Sequence, residues 1–197
     1  MSVTTRTLSP DEITHLLPDL AKLRIRVFRD WPYLYDGSME YEMSYLAPYA
    51  QSPSALVAGA WHGDQLVGAA TAAPMEDHAD DFGRPLTEAG YRLEDILYFG
   101  ESVLLPTYRG QGVGHAFFDH REAKARALGR RFACFCSVVR PTWHPMRPTS
   151  YRPLDAFWRK RGYKPMPGIE AEFGWRDVGD GTETTKPMQV WMRALDG

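Results

Sequence analysis

The chain has 197 residues, of which 44 % are hydrophobic and 24 % are charged, with 23 basic and 25 acidic side chains for a formal net charge of −2. This composition is ordinary for a single soluble domain over residues 1–197 and excludes disordered and collagen-like classes. The longest nearly apolar run, Leu66–Met75, is about half of the roughly 20 residues that a membrane-spanning helix needs. The N-terminus also lacks the pattern of a signal peptide, so we expect a cytoplasmic protein without a membrane partner.

The small net charge hides a basic middle third. Residues 1–101 carry 7 basic and 16 acidic groups, whereas residues 102–164 carry 13 basic and 3 acidic groups. Such a segment attracts polyanions, which include nucleic acids, phosphorylated metabolites and nucleotide cofactors. Because the sequence contains no recognisable nucleic-acid-binding module, we expect no nucleic-acid partner.

The first half of the chain predicts a strand, two helices and a hairpin. Residues 3–8 alternate like a short strand, and Ser9 to Glu12 have the pattern of a capping box, so a helix begins at Pro10. Pro18 is expected to kink or split this helix. The elements that follow are a helix over 38–48 and a hairpin formed by Ala55–Trp61 and Gln65–Ala73.

The second half alternates strands with helices. Residues 76–95 are acidic and predict a loop. The predicted elements after it are a strand over Ile96–Leu105, a helix over 112–128, a strand over Phe132–Val138, a helix from Pro153, and strands over Ile169–Arg176 and Met188–Ala194. This order predicts an α+β fold in which helices cover a mixed sheet.

A glycine cluster joins the fourth predicted strand to the central helix. Arg109 is followed by glycines at positions 110, 112 and 114. Closely spaced glycines let main-chain N–H groups approach a ligand, and a helix N-terminus attracts anions. A tight turn would explain one or two of these glycines, whereas three beside an arginine favour phosphate binding. The chain has no Gly-Lys for a Walker A loop, and the glycine spacing does not fit a dinucleotide fingerprint.

The pattern Arg-x-x-Gly-x-Gly over 109–114 resembles the pyrophosphate-binding motif of the Gcn5-related N-acetyltransferases (GNAT), and Ala156–Tyr163 is similar to their second acyl-CoA motif. The resemblance implies a mostly antiparallel sheet of about seven strands, with acetyl-CoA as cofactor and the amine of a small molecule or peptide as acceptor. Dimers are frequent in the family, so a homodimer stays open. The cofactor-binding residues implied are Val103, Leu104, Leu105, Arg109, Gly110, Gln111, Gly112, Val113 and Gly114, the first three as main-chain donors to the thioester carbonyl.

The sequence departs from the family pattern at the general acid. Trp158 stands where the family often has a tyrosine that protonates the departing thiolate, and an indole does not suit that role. Tyr151 and Tyr163 are the nearest tyrosines in sequence; Tyr151 is our candidate, and protonation by water is the alternative. The missing tyrosine also motivates a second hypothesis, a non-catalytic module that binds acyl-CoA.

Acetyl transfer to an amine calls for a general base, because an ammonium with a pKa of about 10.4 has no free lone pair. Glu101 stands in phase with Phe99 and Val103 on a predicted strand, an unusual setting for a carboxylate. We therefore predict Glu101 as the base. The alternative is a glutamate at a strand end that pairs with an arginine.

Three residues are candidates for acceptor binding. Tyr33 and Tyr35 lie between the first two helices, in a loop that often covers the acceptor in this family, although packing of the loop on the sheet explains them equally well. His144 lies in an irregular, proline-rich stretch. Cys134 and Cys136 suit neither a disulfide nor a zinc site, so we predict buried thiols and no metal.

Overall fold

Eight strands and five α-helices form the part of the chain that the computed structural model describes, residues 2–195 without the side chain of Asp81. The helices are α1 (Pro10–Phe28), α2 (Met39–Gln51), α3 (Arg84–Glu88), α4 (Val113–Ala127) and α5 (Asp155–Lys160). The strands are β1 (Thr4–Thr7), β2 (Leu56–His62), β3 (Gln65–Pro74), β4 (Ile96–Tyr98), β5 (Ser102–Leu104), β6 (Phe132–Val138), β7 (Lys164–Arg176) and β8 (Glu183–Ala194). Within residues 2–195, no helix combines the length and apolarity that crossing a membrane requires.

The first helix begins as its sequence predicts. Ser9 accepts a hydrogen bond from the N–H of Glu12, and the Glu12 carboxylate accepts one from the N–H of Ser9. The helix continues through Pro18 and does not split there. Pro18 and Thr14 are both exposed, so the Thr14 carbonyl, which loses its helical donor, lies on the side that water reaches.

The strands form one mixed sheet in the order β1-β2-β3-β4-β6-β8-β7, with β5 paired to β3. All pairs are antiparallel except β4 with β6. The sheet therefore confirms the predicted α+β fold with a mostly antiparallel sheet. It has one strand more than the predicted seven because a single predicted strand is broken in two.

That break separates β4 from β5 within the predicted strand Ile96–Leu105. Tyr98 pairs with Ala73, whereas Ser102 pairs with Ala70, so one extra residue stands opposite β3 and forms a β-bulge. The N–H of Phe99 still bonds to β6, but β5 pairs with β3 alone. A gap consequently opens between β5 and β6, and residue 101 lies in the bulge instead of in a continuous strand.

Other boundaries differ where prolines and glycines obscure the pattern. Residues 75–88, predicted as part of a loop, form helical turns that end in α3. The last two strands are longer than predicted, because β7 and β8 continue through prolines and an irregular register near Pro165. Helix α5 begins at Asp155, two residues after the predicted Pro153.

Two buried clusters form the core. The larger one joins Leu20 of α1, Leu46 of α2 and Phe117 of α4, and it extends to both faces of the sheet because it includes consecutive strand residues such as Ala69 and Ala70. The second cluster includes Cys134 and Cys136, both free and buried, which confirms the predicted buried thiols.

Candidate active site

The glycine cluster forms a turn that leaves consecutive main-chain N–H groups without acceptors. Gly110 and Gly112 have φ angles of 76° and 83°, which glycine adopts without steric cost, and Gly112 is the N-cap of α4. Among the described residues, the N–H groups of residues 110–115 donate to no acceptor. Six free donors at the start of a long helix make this turn a candidate site for an anion.

The space above this turn is open. A Cβ added to Gly110 or Gly112 would meet no atom within 4 Å. The Arg109 guanidinium folds back and donates to the Leu104 carbonyl at 3.3 Å, and the Gln111 amide donates to the Thr107 carbonyl at 3.3 Å. The predicted residues from Arg109 to Gly114 thus form one turn, and its free amides, those of residues 110–115, are donors of the kind that bind phosphate groups.

The edge of β5 that faces away from β3 offers another donor. The N–H of Leu105 donates to the Val67 carbonyl at 3.0 Å, and in an antiparallel ladder alternate residues point the same way. Val103 therefore also faces β3, while the N–H of Leu104 points into the gap beside β5. Of the three predicted main-chain donors, Leu104 alone is directed toward that gap.

Glu101 lies in the bulge and is only 8 % exposed. Its Oε1 contacts the Arg24 guanidinium at 2.6 Å, and its Oε2 accepts a hydrogen bond from the Tyr45 hydroxyl at 3.4 Å. Arg24 also pairs with Glu42, which is fully buried. The Glu101 main-chain carbonyl accepts a bond from the buried Arg121 guanidinium at 3.1 Å. The bulge thus holds the carboxylate in a buried network of two carboxylates and two guanidinium groups.

The network keeps its cations and hydroxyls protonated at neutral pH. Burial opposes the charge of Arg24, but the carboxylates of Glu101 and Glu42 hold the pKa of Arg24 well above its usual value. Burial lowers the pKa of Arg121 to about 10. Burial also raises the pKa of Tyr45, and it raises the pKa of the adjacent Tyr49 to about 12. Tyr45 is therefore a hydrogen-bond donor to Glu101.

A cavity of about 680 Å³ opens next to Glu101. Nine of its 21 lining residues are aromatic, and its acidic residues outnumber its arginines by four to two. The lining residues are Arg24, Phe28, Tyr33, Tyr35, Asp36, Ser38, Tyr41, Tyr45, Phe82, Tyr98, Gly100, Glu101, Cys136, Glu172, Phe173, Gly174, Trp175, Arg176, Gly181, Glu183 and Met188. The predicted acceptor residues Tyr33 and Tyr35 thus lie in the same cavity as the predicted base.

The loop that carries Tyr33 and Tyr35 is fixed from three sides. The Tyr33 carbonyl accepts bonds from the Arg140 guanidinium at 2.7 Å and from the Trp175 indole at 2.9 Å. The Tyr35 N–H donates to the Phe28 carbonyl at 2.8 Å. The loop is therefore packed in place, and its two tyrosines also line the cavity, while their role in binding the acceptor stays a prediction.

His144 and Tyr151 do not line the cavity. Both pack on Trp31, with ring centroids at 5.1 Å and 5.9 Å from the Trp31 ring. The His144 ring accepts a bond from the N–H of Met146 at 3.2 Å, which ties it to its own turn. The structure thus places neither side chain in the lining of the cavity, although Tyr151 interacts electrostatically with Tyr33, which does line it.

The segment that resembles the second acyl-CoA motif, Ala156–Tyr163, offers no free hydroxyl group in their place. Trp158 packs between Phe135 and Trp191, with ring centroids at 5.0 Å from each. Tyr163 is fully buried and donates to the Glu122 carboxylate at 3.1 Å. Trp158 has no hydroxyl group, and the Tyr163 hydroxyl is already bonded to Glu122.

Sequence reasoning missed Arg24, Glu42, Tyr45 and Arg121, which surround Glu101. The sequence does carry a signal for Arg24, which continues the apolar stripe of α1 from Leu20 at i+4. Glu42 and Arg121 likewise occupy buried positions of α2 and α4, and Tyr45 is partly buried against the core. A charged group on an apolar helical stripe indicates a buried partner, but not which one.

Comparisons with known proteins identify a matching protein family and several solved structures with a similar fold. The family model described as the acetyltransferase (GNAT) family matches residues 20–142. No curated protein matches the chain in sequence.

Several solved structures share the whole fold. A ribosomal-protein-alanine N-acetyltransferase from Brucella melitensis has a TM-score of 0.62 at 14 % identity, covering 98 % of this chain and 99 % of that one. The yncA protein from Salmonella typhimurium, solved with its cofactor acetyl-CoA, has a TM-score of 0.60 at 10 % identity, covering 100 % and 96 %. PaiA N-acetyltransferase from Thermoplasma acidophilum, in complex with coenzyme A, has a TM-score of 0.56 at 14 % identity, covering 98 % and 99 %. At these identities, the similarity shows a common fold.

Proposed function

Because the chain belongs to the acetyltransferase (GNAT) family, we propose that it transfers the acetyl group of acetyl-CoA directly to a primary amine, with Glu101 as general base. One observation carries this proposal: a single chain segment joins the two sites. Glu101 lines the acceptor cavity, Leu104 lies three residues later beside the gap, and the free amides begin at residue 110. Coenzyme A complexes of proteins with this fold support the choice of donor.

Each group of the site has a role in that transfer. Acetyl-CoA supplies an acetyl thioester, whose C–S bond breaks as the amine nitrogen forms a bond to the carbonyl carbon. The amides of residues 110–115 hold the diphosphate, and the Leu104 N–H donates to the thioester carbonyl oxygen. Glu101 accepts the proton that the amine nitrogen loses. Oε2 is the atom we assign to this step, because Oε1 is held by Arg24 at 2.6 Å.

Cys136 argues for direct transfer without an acetyl-cysteine intermediate. It lines the cavity, but burial raises the pKa of its thiol to about 12. A thiol attacks as the thiolate, and at neutral pH almost none is present. The amine is therefore the nucleophile that the cavity favours.

The departing thiolate must gain a proton. Tyr151 packs on Trp31 outside the cavity, and the hydroxyl of Tyr163 is held by Glu122. We infer that water supplies this proton, which is the alternative to Tyr151 that the sequence left open.

The test compares Glu101→Gln with Glu42→Gln. Both carboxylates pair with Arg24 and both are buried, but only Glu101 lines the cavity. Amine-dependent release of free thiol from acetyl-CoA is measured as a function of pH. We expect Glu101→Gln to lower kcat by about a hundredfold or more and to change the pH profile, whereas Glu42→Gln should retain the profile.

Two outcomes would contradict the proposal. If both variants lose activity equally with unchanged pH profiles, Glu101 acts only as an ion-pair partner. If the protein binds coenzyme A in calorimetry but releases no thiol with any amine, the non-catalytic acyl-CoA module is the better interpretation.

A further inference from the structure

The aromatic residues of the cavity form a wall that begins at the Arg24–Glu101 ion pair. The Arg24 guanidinium carbon lies 5.1 Å from the centroid of the Phe28 ring. Phe28 contacts Tyr33, and Tyr33 contacts Trp175, with ring centroids 4.6 Å and 5.9 Å apart. All of these residues line the cavity. The wall therefore extends from the ion pair to β7.

From β7 the wall returns to the segment that carries Glu101. The rings of Trp175 and Phe173, which share one face of β7, have centroids 6.3 Å apart. Phe173 stacks on Phe82 at 5.3 Å, and Phe82 stacks on Tyr98 at 4.9 Å. Tyr98 is the last residue of β4 and stands three residues before Glu101. This unbroken series of contacts places the rings and Glu101 around one space.

The cationic side chains of this space are already paired. Among the described residues that line the cavity, Arg24 and Arg176 are the only ones with a cationic side chain. Arg24 is paired with Glu42 and Glu101, and Arg176 is paired with Asp36 at 2.7 Å. The lining consequently offers no unpaired cation to a negatively charged ligand.

The tyrosines of the wall are neutral at neutral pH. Burial raises the pKa values of Tyr33, Tyr45 and Tyr98 above the usual value for a phenol. The wall is therefore made of uncharged rings, without a phenolate that would attract a cation. Such a surface favours an apolar, planar body that packs against the rings.

From this arrangement we propose that the acceptor is an arylalkylamine: a primary amine on a short alkyl stem, with an aromatic body and no carboxylate beside the amine. The amine lies at Oε2 of Glu101, and the aromatic body packs among the rings of the wall. A carboxylate beside the amine would lie close to the buried carboxylates of Glu101 and Glu42, with no cation left to pair with it. The inference rests on the proposed function for the reacting end, and it adds the class of the acceptor.

An indole series isolates the effect of the carboxylate. Tryptamine, tryptophanamide and tryptophan share the ring and the reacting amine, but they carry a hydrogen, a neutral carboxamide or a carboxylate beside that amine. The value of kcat/KM for thiol release is expressed per concentration of neutral amine, because the three amines differ in pKa. We expect tryptophanamide to be within about fivefold of tryptamine, and tryptophan to be about a hundredfold below tryptophanamide, because like charges repel beside Glu101.

A second series isolates the aromatic body. Phenethylamine, propylamine and (2-aminoethyl)trimethylammonium place a phenyl ring, a methyl group or a quaternary ammonium on the same two-carbon stem. We expect kcat/KM per neutral amine to be about tenfold or more higher for phenethylamine than for propylamine, because the ring leaves water for an apolar wall. A quaternary ammonium that exceeds phenethylamine would show that the rings bind a cation, and it would overturn the inference.

Variants assign these preferences to named residues. Phe173→Leu removes one ring of the wall and should reduce the advantage of phenethylamine over propylamine. Phe132→Leu is the matched control, because Phe132 is also a partly buried strand residue but does not line the cavity, and it should leave the advantage unchanged. Glu42→Gln removes one of the two buried carboxylates and should bring tryptophan closer to tryptophanamide.

Calorimetry with tryptamine and tryptophan, in the presence of coenzyme A, separates this inference from the proposed function. Tighter binding of tryptamine supports the inference even if no thiol is released, in which case the proposed function alone fails. Equal kcat/KM for tryptophan and tryptophanamide, or for phenethylamine and propylamine, would overturn the inference while leaving acetyl transfer intact. A phenethylamine advantage that is the same in Phe173→Leu and Phe132→Leu, or failure of every aromatic amine to bind, would also overturn it.

Discussion

The two ends of the site are built in opposite ways. The candidate anion-binding turn, residues 110–115, is contiguous, largely exposed and made of main-chain donors. The cavity proposed to bind the acceptor is assembled from residues of α1, α2, the β4–β5 bulge and the β7–β8 hairpin, and Glu101 is held there by a buried charge network. The geometry of the turn therefore depends on backbone conformation, whereas the geometry of the cavity depends on side-chain packing and charge balance. We accordingly expect substitutions in the charge network around Glu101 to change both the proposed catalysis and the stability of the fold.

Removal of Arg24 tests that coupling and has the largest expected effect. Arg24→Leu leaves Glu42 and Glu101 buried without their shared cation, and breaking a buried pair in this way costs about 3–5 kcal/mol. Denaturant unfolding of the full chain measures the loss. Arg26→Leu changes an exposed arginine of the same helix and should stay within about 0.5 kcal/mol of the parent. Equal stability of both variants would show that the network contributes nothing to the fold.

A side chain at Gly112 tests the other end. Gly112→Val should weaken coenzyme A binding by about a hundredfold or more, because it removes access to charge-assisted bonds worth roughly 1.5–3 kcal/mol each. Calorimetry with coenzyme A measures the loss. Gly90→Val is the control, since Gly90 has a φ of 86°, against 83° for Gly112, and equally open surroundings away from the turn. A similar loss of binding in Gly90→Val would indicate general backbone strain.

The same contrast explains which features the sequence could predict. Arg109 to Gly114 form a local motif between a strand and a helix, so spacing alone locates the turn. Glu101 is conspicuous because a carboxylate interrupts an apolar run. Its partner Arg24 is 77 residues away in sequence, and only the packing of α1 against the bulge brings the two together. Local pattern therefore singles out Glu101 but not the network that holds its carboxylate.

The β-bulge and the β7–β8 hairpin are features of the fold that the local sequence pattern did not predict. Ile96–Leu105 is apolar on both sides of Gly100, Glu101 and Ser102, but this short interruption does not reveal that the two halves belong to different pairings. Pro165 and Pro187 interrupt the pattern of β7 and β8, although both strands continue through them. In both places, pairing between strands that are distant in sequence determines the structure. The same pairing creates the gap beside β5 and the part of the cavity wall that β7 and β8 form.

Replacement of Tyr151 has the smallest expected effect. Tyr151→Phe keeps the ring that packs on Trp31 and removes only the hydroxyl, which lies outside the cavity lining. We expect kcat within about twofold of the parent in the thiol-release assay, because a general acid contributes roughly a hundredfold or more and water fills that role here. Tyr45→Phe provides the contrast, since its hydroxyl donates to Oε2 of Glu101 at 3.4 Å, and it should alter the pH profile. A hundredfold fall in kcat for Tyr151→Phe at unchanged stability would restore Tyr151 as the acid, and it would require the segment over 140–153 to close onto the cavity during turnover.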